Sequence, residues 1–264
     1  MAEMRVPTGI AGLDKMLNGG FIRNQVILVA GAPGTGKTTY GLEFIYNGAV
    51  KYNEPGIYVT FEELPQQIYR DALSLGWDLQ KLEQEGKVKI LCTSPRVLQA
   101  TEERDEVLGR IIKEMGAKRI AIDSISQFRM IRARPAESRE DDNAVLRKEL
   151  YSLINYLKVR GMTSIFLHEL PKIIGSSLKI SDYGLEFLVD SVVMLNYAEV
   201  ESTVLKVISI LKFRGSDHEK GIKEFDITTG GIRIKTEMVR FEGLMSGTAR
   251  KSLEIGKKLD KFFK

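Results

Sequence analysis

Glycine, lysine and hydroxyl residues fall at a chemically telling spacing in Gly31-Ala32-Pro33-Gly34-Thr35-Gly36-Lys37-Thr38, with Thr39 directly behind. This is the spacing of a phosphate-binding loop, whose glycines let the backbone bring N–H groups toward phosphate oxygens. Lys37 supplies a cation for the β- and γ-phosphates of a nucleotide, and Thr38 a hydroxyl for Mg2+. The apolar run Val26-Ile27-Leu28-Val29-Ala30 precedes the loop, and the helix-like Tyr40-Gly41-Leu42-Glu43-Phe44-Ile45 follows it. Strand, glycine loop and helix are the context this pattern requires, and a helix starting near Gly36 adds its free N–H groups and positive dipole end. Nucleotide binding is therefore expected at Gly31 through Thr39.

Acidic residues complete the expected site. Gly56-Ile57-Tyr58-Val59-Thr60-Phe61 reads as a strand ending in Glu62 and Glu63. Chemistry in an open α/β sheet collects at the carboxyl ends of strands, where a carboxylate can orient and polarise an attacking water. The same pair, placed before Leu64-Pro65, also suits the start of a helix, so both readings stand. Asp123 closes the apolar strand Arg119-Ile120-Ala121-Ile122 in the manner of a Walker B acid. Thr38, Glu62 and Asp123 form the expected oxygen set for the metal.

Those residues need elements to hold them. Apolar runs at 87–92, 163–167, 187–195 and 203–211 read as further strands, with a closing hairpin over 225–234. Helical spacing marks 66–75 and 143–160. The fold class predicted is α/β: a mainly parallel central sheet flanked by helices, with antiparallel strands at its C-terminal side. His168-Glu169 ends one strand and reads either as a sensing pair or as a satisfied structural pair. Lys212 and Arg214 stand two apart at the end of another and share a face, which suits an anion or a solvated edge. Cys92, inside a strand, is expected to be a small buried residue.

Composition limits the remaining possibilities. The chain has 264 residues, enough for one large domain with its own core. A net charge of +4 is mild and does not call for nucleic acid. Arg129, Arg132 and Arg134 form a basic loop that suits a phosphodiester backbone, a solvated surface or the lining of a ring's hole. One cysteine and two histidines offer neither an internal disulfide nor a Cys/His metal cluster. No apolar targeting or membrane-spanning run appears, so a cytoplasmic protein without membrane insertion is expected. Residues 1–240 are read as the catalytic domain and 241–264 as a basic amphipathic tail, a helix docked on its own domain or on a partner.

Taken together, Thr8-Gly9-Ile10 with Gly12-Leu13-Asp14, the loop with Lys37-Thr38-Thr39, Tyr58 through Glu63, Ile120 through Ser124 and Leu211 through His218 resemble the KaiC-like branch of the RecA superfamily of ATPases. The resemblance runs from Val6 to about Ile234. It implies a RecA-like fold, ATP and Mg2+ as ligands, Glu62 and Glu63 as catalytic carboxylates, and a homo-oligomeric ring, expected to be hexameric. It also implies that Lys212, Arg214 and His218 reach the nucleotide of a neighbouring subunit. KaiC carries two such domains in tandem and this chain one, so a clock role does not follow. Glu186-Phe187 stand where the autophosphorylating domain has Ser-Thr, which argues against self-phosphorylation. A regulatory or signalling ATPase is the function implied; the alternatives are a RadA-like DNA-dependent ATPase and a nucleotide-gated scaffold with little turnover.

Overall fold

The computed structural model describes residues 4–130, 139–170, 180–181, 183–200, 203–235, 241–242 and 250–251. Arg132 and Arg134 lie outside them. So does the expected tail helix, apart from Arg250–Lys251, which pair antiparallel with Phe241–Glu242.

Nearly every position of the strands β1 (Val26–Gly31), β2 (Gly56–Thr60), β4 (Arg119–Asp123) and β5 (Thr163–Glu169) is buried. Strands covered by helices on both faces read as continuous apolar runs rather than alternating ones. With β3 (Val88–Cys92), β6 (Ser191–Val200), β7 (Thr203–Phe213), β8 (Lys223–Thr228) and β9 (Gly231–Ile234) they form a nine-stranded sheet ordered β9-β8-β7-β6-β1-β5-β4-β2-β3. The six strands from β6 to β3 are mutually parallel, while β7, β8 and β9 continue the sheet antiparallel.

One face of the sheet, including Ile27, Val29, Tyr58, Ala121 and Leu167, packs with Tyr40, Phe44 and Ile45 of α1 (Lys37–Lys51). The other, including Leu28, Val59, Ile122 and Phe166, packs with Leu146, Leu150 and Leu157 of α2 (Arg139–Val159). The parallel register sets β1, β2, β4 and β5 to end at one edge, since Gly31 pairs with Glu169 and Thr60 with Asp123.

The N-terminal motif braces α1. The Asp14 carboxylate accepts from Thr8 N and Thr8 Oγ1, both at 2.7 Å, and from Gly9 N at 3.0 Å. The turn so made offers its carbonyls to α1: Asn47 Nδ2 donates to Thr8 O and Lys51 Nζ to Gly9 O. Gly9 sits at φ +69, and a Cβ there would lie 2.8 Å from that of Asn47.

Two sequence expectations need correction. The strand expected from Phe187 begins at Ser191, because Leu185–Leu188 forms a short helix. Left-handed Gly184 precedes that helix, and Ser181 Oγ accepts from Leu185 N at 2.7 Å. Cys92 is exposed, because it is the last residue of edge strand β3.

Candidate active site

Buried β1 delivers the chain into the glycine loop, and α1 leaves it. Gly34 and Gly36 adopt φ +77 and +102, which other residues rarely take. The loop is walled by its neighbours: a Cβ at Gly34 would lie 2.7 Å from Tyr197 Oη, and one at Gly36 2.6 Å from Ile227 Cδ1. Tyr197 Oη donates to Pro33 O at 3.3 Å, and Thr35 Oγ1 to Ala32 O at 2.8 Å. Lys37 is buried, with Nζ donating to Ala32 O at 3.0 Å. Burial holds its ammonium below the ordinary lysine range, while the charges of Glu169 and Asp123 oppose that shift. Thr39 follows in the first turn of α1.

Three elements meet at Asp123. Its Oδ2 accepts from Thr38 Oγ1 of α1 at 2.7 Å and from Tyr58 Oη of β2 at 2.6 Å. Beside it, the Ser124 hydroxyl is buried without a hydrogen-bond partner among the described residues. A hydroxyl and a carboxylate are hard oxygen donors of the kind Mg2+ takes. Thr38 and Asp123 fit that ion; Glu62 is exposed and accepts from Gln127 Nε2.

Glu63 is half-buried, and its backbone N–H donates to Thr60 Oγ1 at 3.1 Å. Burial, then the negative charges of Asp123, Asp71 and Glu62, push its carboxyl above the ordinary range. Neither glutamate caps the following helix, Pro65–Ser74: Leu64 is its N-cap, and Gln67 Oε1 accepts from Leu64 N at 3.1 Å. That leaves Glu63 free of a capping role and within reach of the Asp123 charge.

Strand alternation separates His168 from Glu169. Glu169 lies on the α1 side, close enough to act on Lys37. His168 turns the other way, its Nδ1 3.0 Å from Ser126 Oγ and its Nε2 3.1 Å from Ile180 O. Sequence reasoning missed Tyr58 and Tyr197, whose phenols sit at Asp123 and at the glycine loop; only the register between strands reveals them.

The cations expected from the C-terminal side are elsewhere. Gly31 is level with Leu195 and hence with Ile208, whereas Ser191 is level with Phe213. Arg214 is six residues beyond Ile208, a rise of roughly 20 Å at about 3.3 Å per residue. Lys212 and Arg214 therefore stand at the amino edge of the parallel strands, opposite their own glycine loop. Lys212 Nζ donates to Glu186 O at 2.9 Å and Val189 O at 2.7 Å, and exposed Arg214 donates to Phe187 O at 3.3 Å. Burial and the neighbouring Arg214 lower the Lys212 ammonium. His218 has its Nε2 3.1 Å from Ile210 O.

A glycine loop between a buried strand and a helix, in a mainly parallel sheet with an acid at the end of the next strand but one, defines an α/β P-loop protein of RecA-like architecture. The chain belongs to the KaiC ATPase family, matching the family model described as "ATPase: KaiC" over residues 6–239. It is 38% identical to the circadian clock oscillator protein KaiC of Synechococcus elongatus, over 89% of this chain and 44% of that protein. The KaiC of Nostoc sp. PCC 7120 is 34% identical, over 94% of this chain and 45% of its own length. That of Parathermosynechococcus lividus is 39% identical over 86% and 41%. The chain thus spans less than half the length of these relatives. No helix among the described residues is long and apolar enough to cross a membrane.

Proposed function

We propose that this chain hydrolyses ATP with Mg2+, at sites shared between copies of itself in a ring, as a regulatory or signalling ATPase. The observation that carries the reading is the position of Lys212 and Arg214 at the sheet edge opposite Lys37. Cations so placed cannot complete their own chain's loop, but they can complete a neighbour's when copies stack edge to edge in a closed, hexameric ring.

In this reading the loop N–H groups and Lys37 hold the phosphates, and Thr38 and Asp123 hold the cation. Bound Mg2+ supplies charge neutralisation on the β- and γ-phosphate oxygens. Glu63, with its raised affinity for protons, takes the proton of the water whose oxygen attacks the γ-phosphorus, as the bond to ADP breaks. Glu62, held by Gln127, orients that water. Arg214 and Lys212 of the next copy meet charge developing in the transition state.

Mixing two inactive variants tests the shared site. Lys37→Ala lacks an intact loop, and Arg214→Ala lacks the cation it lends. ATPase activity is expected to return on mixing, since some interfaces then pair an intact loop with an intact arginine. Subunit exchange verified by mass with no returning activity, or normal hydrolysis by Arg214→Ala alone, would sink the reading.

A further inference from the structure

We propose that Tyr58 is a positioning residue for the metal: its hydroxyl sets the Asp123 carboxylate so that Thr38 and Asp123 face the cation together. The inference rests on the Mg2+–nucleotide reading of this site.

Asp123 Oδ2 is shared by two hydroxyls, Thr38 Oγ1 at 2.7 Å and Tyr58 Oη at 2.6 Å. Asp123 ends β4, in the last residue pair that the strand makes with β2, opposite Thr60. A carboxylate on a strand end held by one flexible partner can rotate. A second bond, from a ring fixed in the core, removes that freedom. The Tyr58 ring is fixed: the residue is fully buried. It also lies against Gly41 of α1, where a Cβ would be 3.2 Å from Tyr58 Cε2 and 3.0 Å from Leu167 Cδ1. The phenol therefore passes beneath α1 to the carboxylate at Gly41, where the helix has no side chain.

Packing alone does not explain the hydroxyl. Phenylalanine would fill the same space without burying a polar atom, and a buried hydroxyl is costly unless bonded. Tyr40 in the same core shows the contrast, since its buried hydroxyl has no hydrogen-bond partner among the described residues. Burial and the Asp123 charge hold the Tyr58 phenol well above its ordinary range, so the group remains a donor wherever the protein works. Thr38 Oγ1 donates to the same carboxylate oxygen, so the two expected cation ligands and the phenol form one cluster. Partners behind a metal's own ligands are typically worth about 10–100-fold in metal affinity.

The test is a binding measurement with a fluorescent ATP analogue, titrated with Mg2+ and repeated in EDTA. Tyr58→Phe is expected to raise the Mg2+ concentration for half-maximal effect by about tenfold or more, with affinity in EDTA unchanged. In an Asp123→Asn background, Tyr58→Phe should add nothing further. Tyr40→Phe, the control for a lost buried hydroxyl, should leave the Mg2+ midpoint unmoved, and melting curves should show all variants folded. An unmoved midpoint in Tyr58→Phe, a shift that persists beside Asp123→Asn, or an equal shift in Tyr40→Phe overturns the role. If the parent binds the analogue identically with and without Mg2+, the cation reading of Thr38 and Asp123 falls first, and the Tyr58 role with it.

Discussion

Glu62 and Glu63 are adjacent in sequence yet meet different surroundings, because the turn after β2 exposes one and half-buries the other. Glu63 meets desolvation and three negative neighbours, which raise its affinity for a proton; Glu62 meets the Gln127 amide. A base with a raised pKa is still protonated at pH values where an ordinary glutamate is already ionised, and it becomes competent only as pH rises past that point. The acid limb of the ATPase pH profile is therefore expected above the ordinary carboxylate range, with activity rising toward neutral pH. Glu63→Gln should lower turnover by about 10²–10⁴-fold, keep ATP bound and abolish that limb. A variant with parental turnover and an intact limb would place the base elsewhere.

The glycine loop keeps its shape through the elements that surround it, and α1 is anchored at two points along its length. Near its C-terminal end, the Thr8–Asp14 turn holds Asn47 and Lys51. Midway, buried Glu43 accepts from Ile232 N of β9 at 2.7 Å. This contact is possible because residue 231 is glycine: a Cβ there would lie 2.4 Å from Glu43 Oε2. Burial pushes the Glu43 carboxyl from 4.5 up to about 7, against the opposing effects of the Ile232 N–H, Lys51 and Asn47. The folded chain therefore holds this proton more tightly than the unfolded chain. The stabilisation is complete below the unfolded value and is lost as pH rises through about 7, amounting to on the order of 3 kcal/mol. Glu43→Gln keeps an acceptor for Ile232 and removes the titration. Its melting temperature should change less between pH 4.5 and 7 than the parent's, followed by fluorescence of Trp77, the chain's single tryptophan. Equal slopes for the two proteins would show that Glu43 does not titrate there.

For the molecule as a unit, the proposed shared site would make activity a property of the assembly, since loop and cations stand at opposite edges of the sheet. If Arg214 serves a neighbour, a lone chain binds ATP through its own loop but lacks a group worth roughly 10³–10⁵-fold in rate for arginine fingers supplied in trans; a slow basal ATPase shows less. Specific activity should fall on dilution through the range where light scattering shows the ring dissociating. Constant specific activity across that range would mean that a single chain holds a complete site.

Local chemistry made the loop legible before any fold was known. Gly31 to Thr38 needs only glycine freedom, one cation and one hydroxyl within a short stretch, and the apolar run before it announces a buried strand. Asp123 was legible for a similar reason, as a charge ending an apolar run. The resemblance then extended this to the family and to the mainly parallel sheet. Other features depend on contacts between residues far apart in the chain. Tyr58 looks like any aromatic in a core strand until β2 and β4 align and its hydroxyl meets Asp123. His168 and Glu169 are neighbours whose surroundings part only when strand alternation sends one to Ser126 and the other toward Lys37. Phe187 lies in an apolar run that reads as strand, yet Gly184, Ser181 and the cations Lys212 and Arg214 hold it in a short helix. Sequence spacing measures distance along the chain. Which carboxylate a phenol reaches, and which edge of a sheet an arginine occupies, is decided by strand order and register.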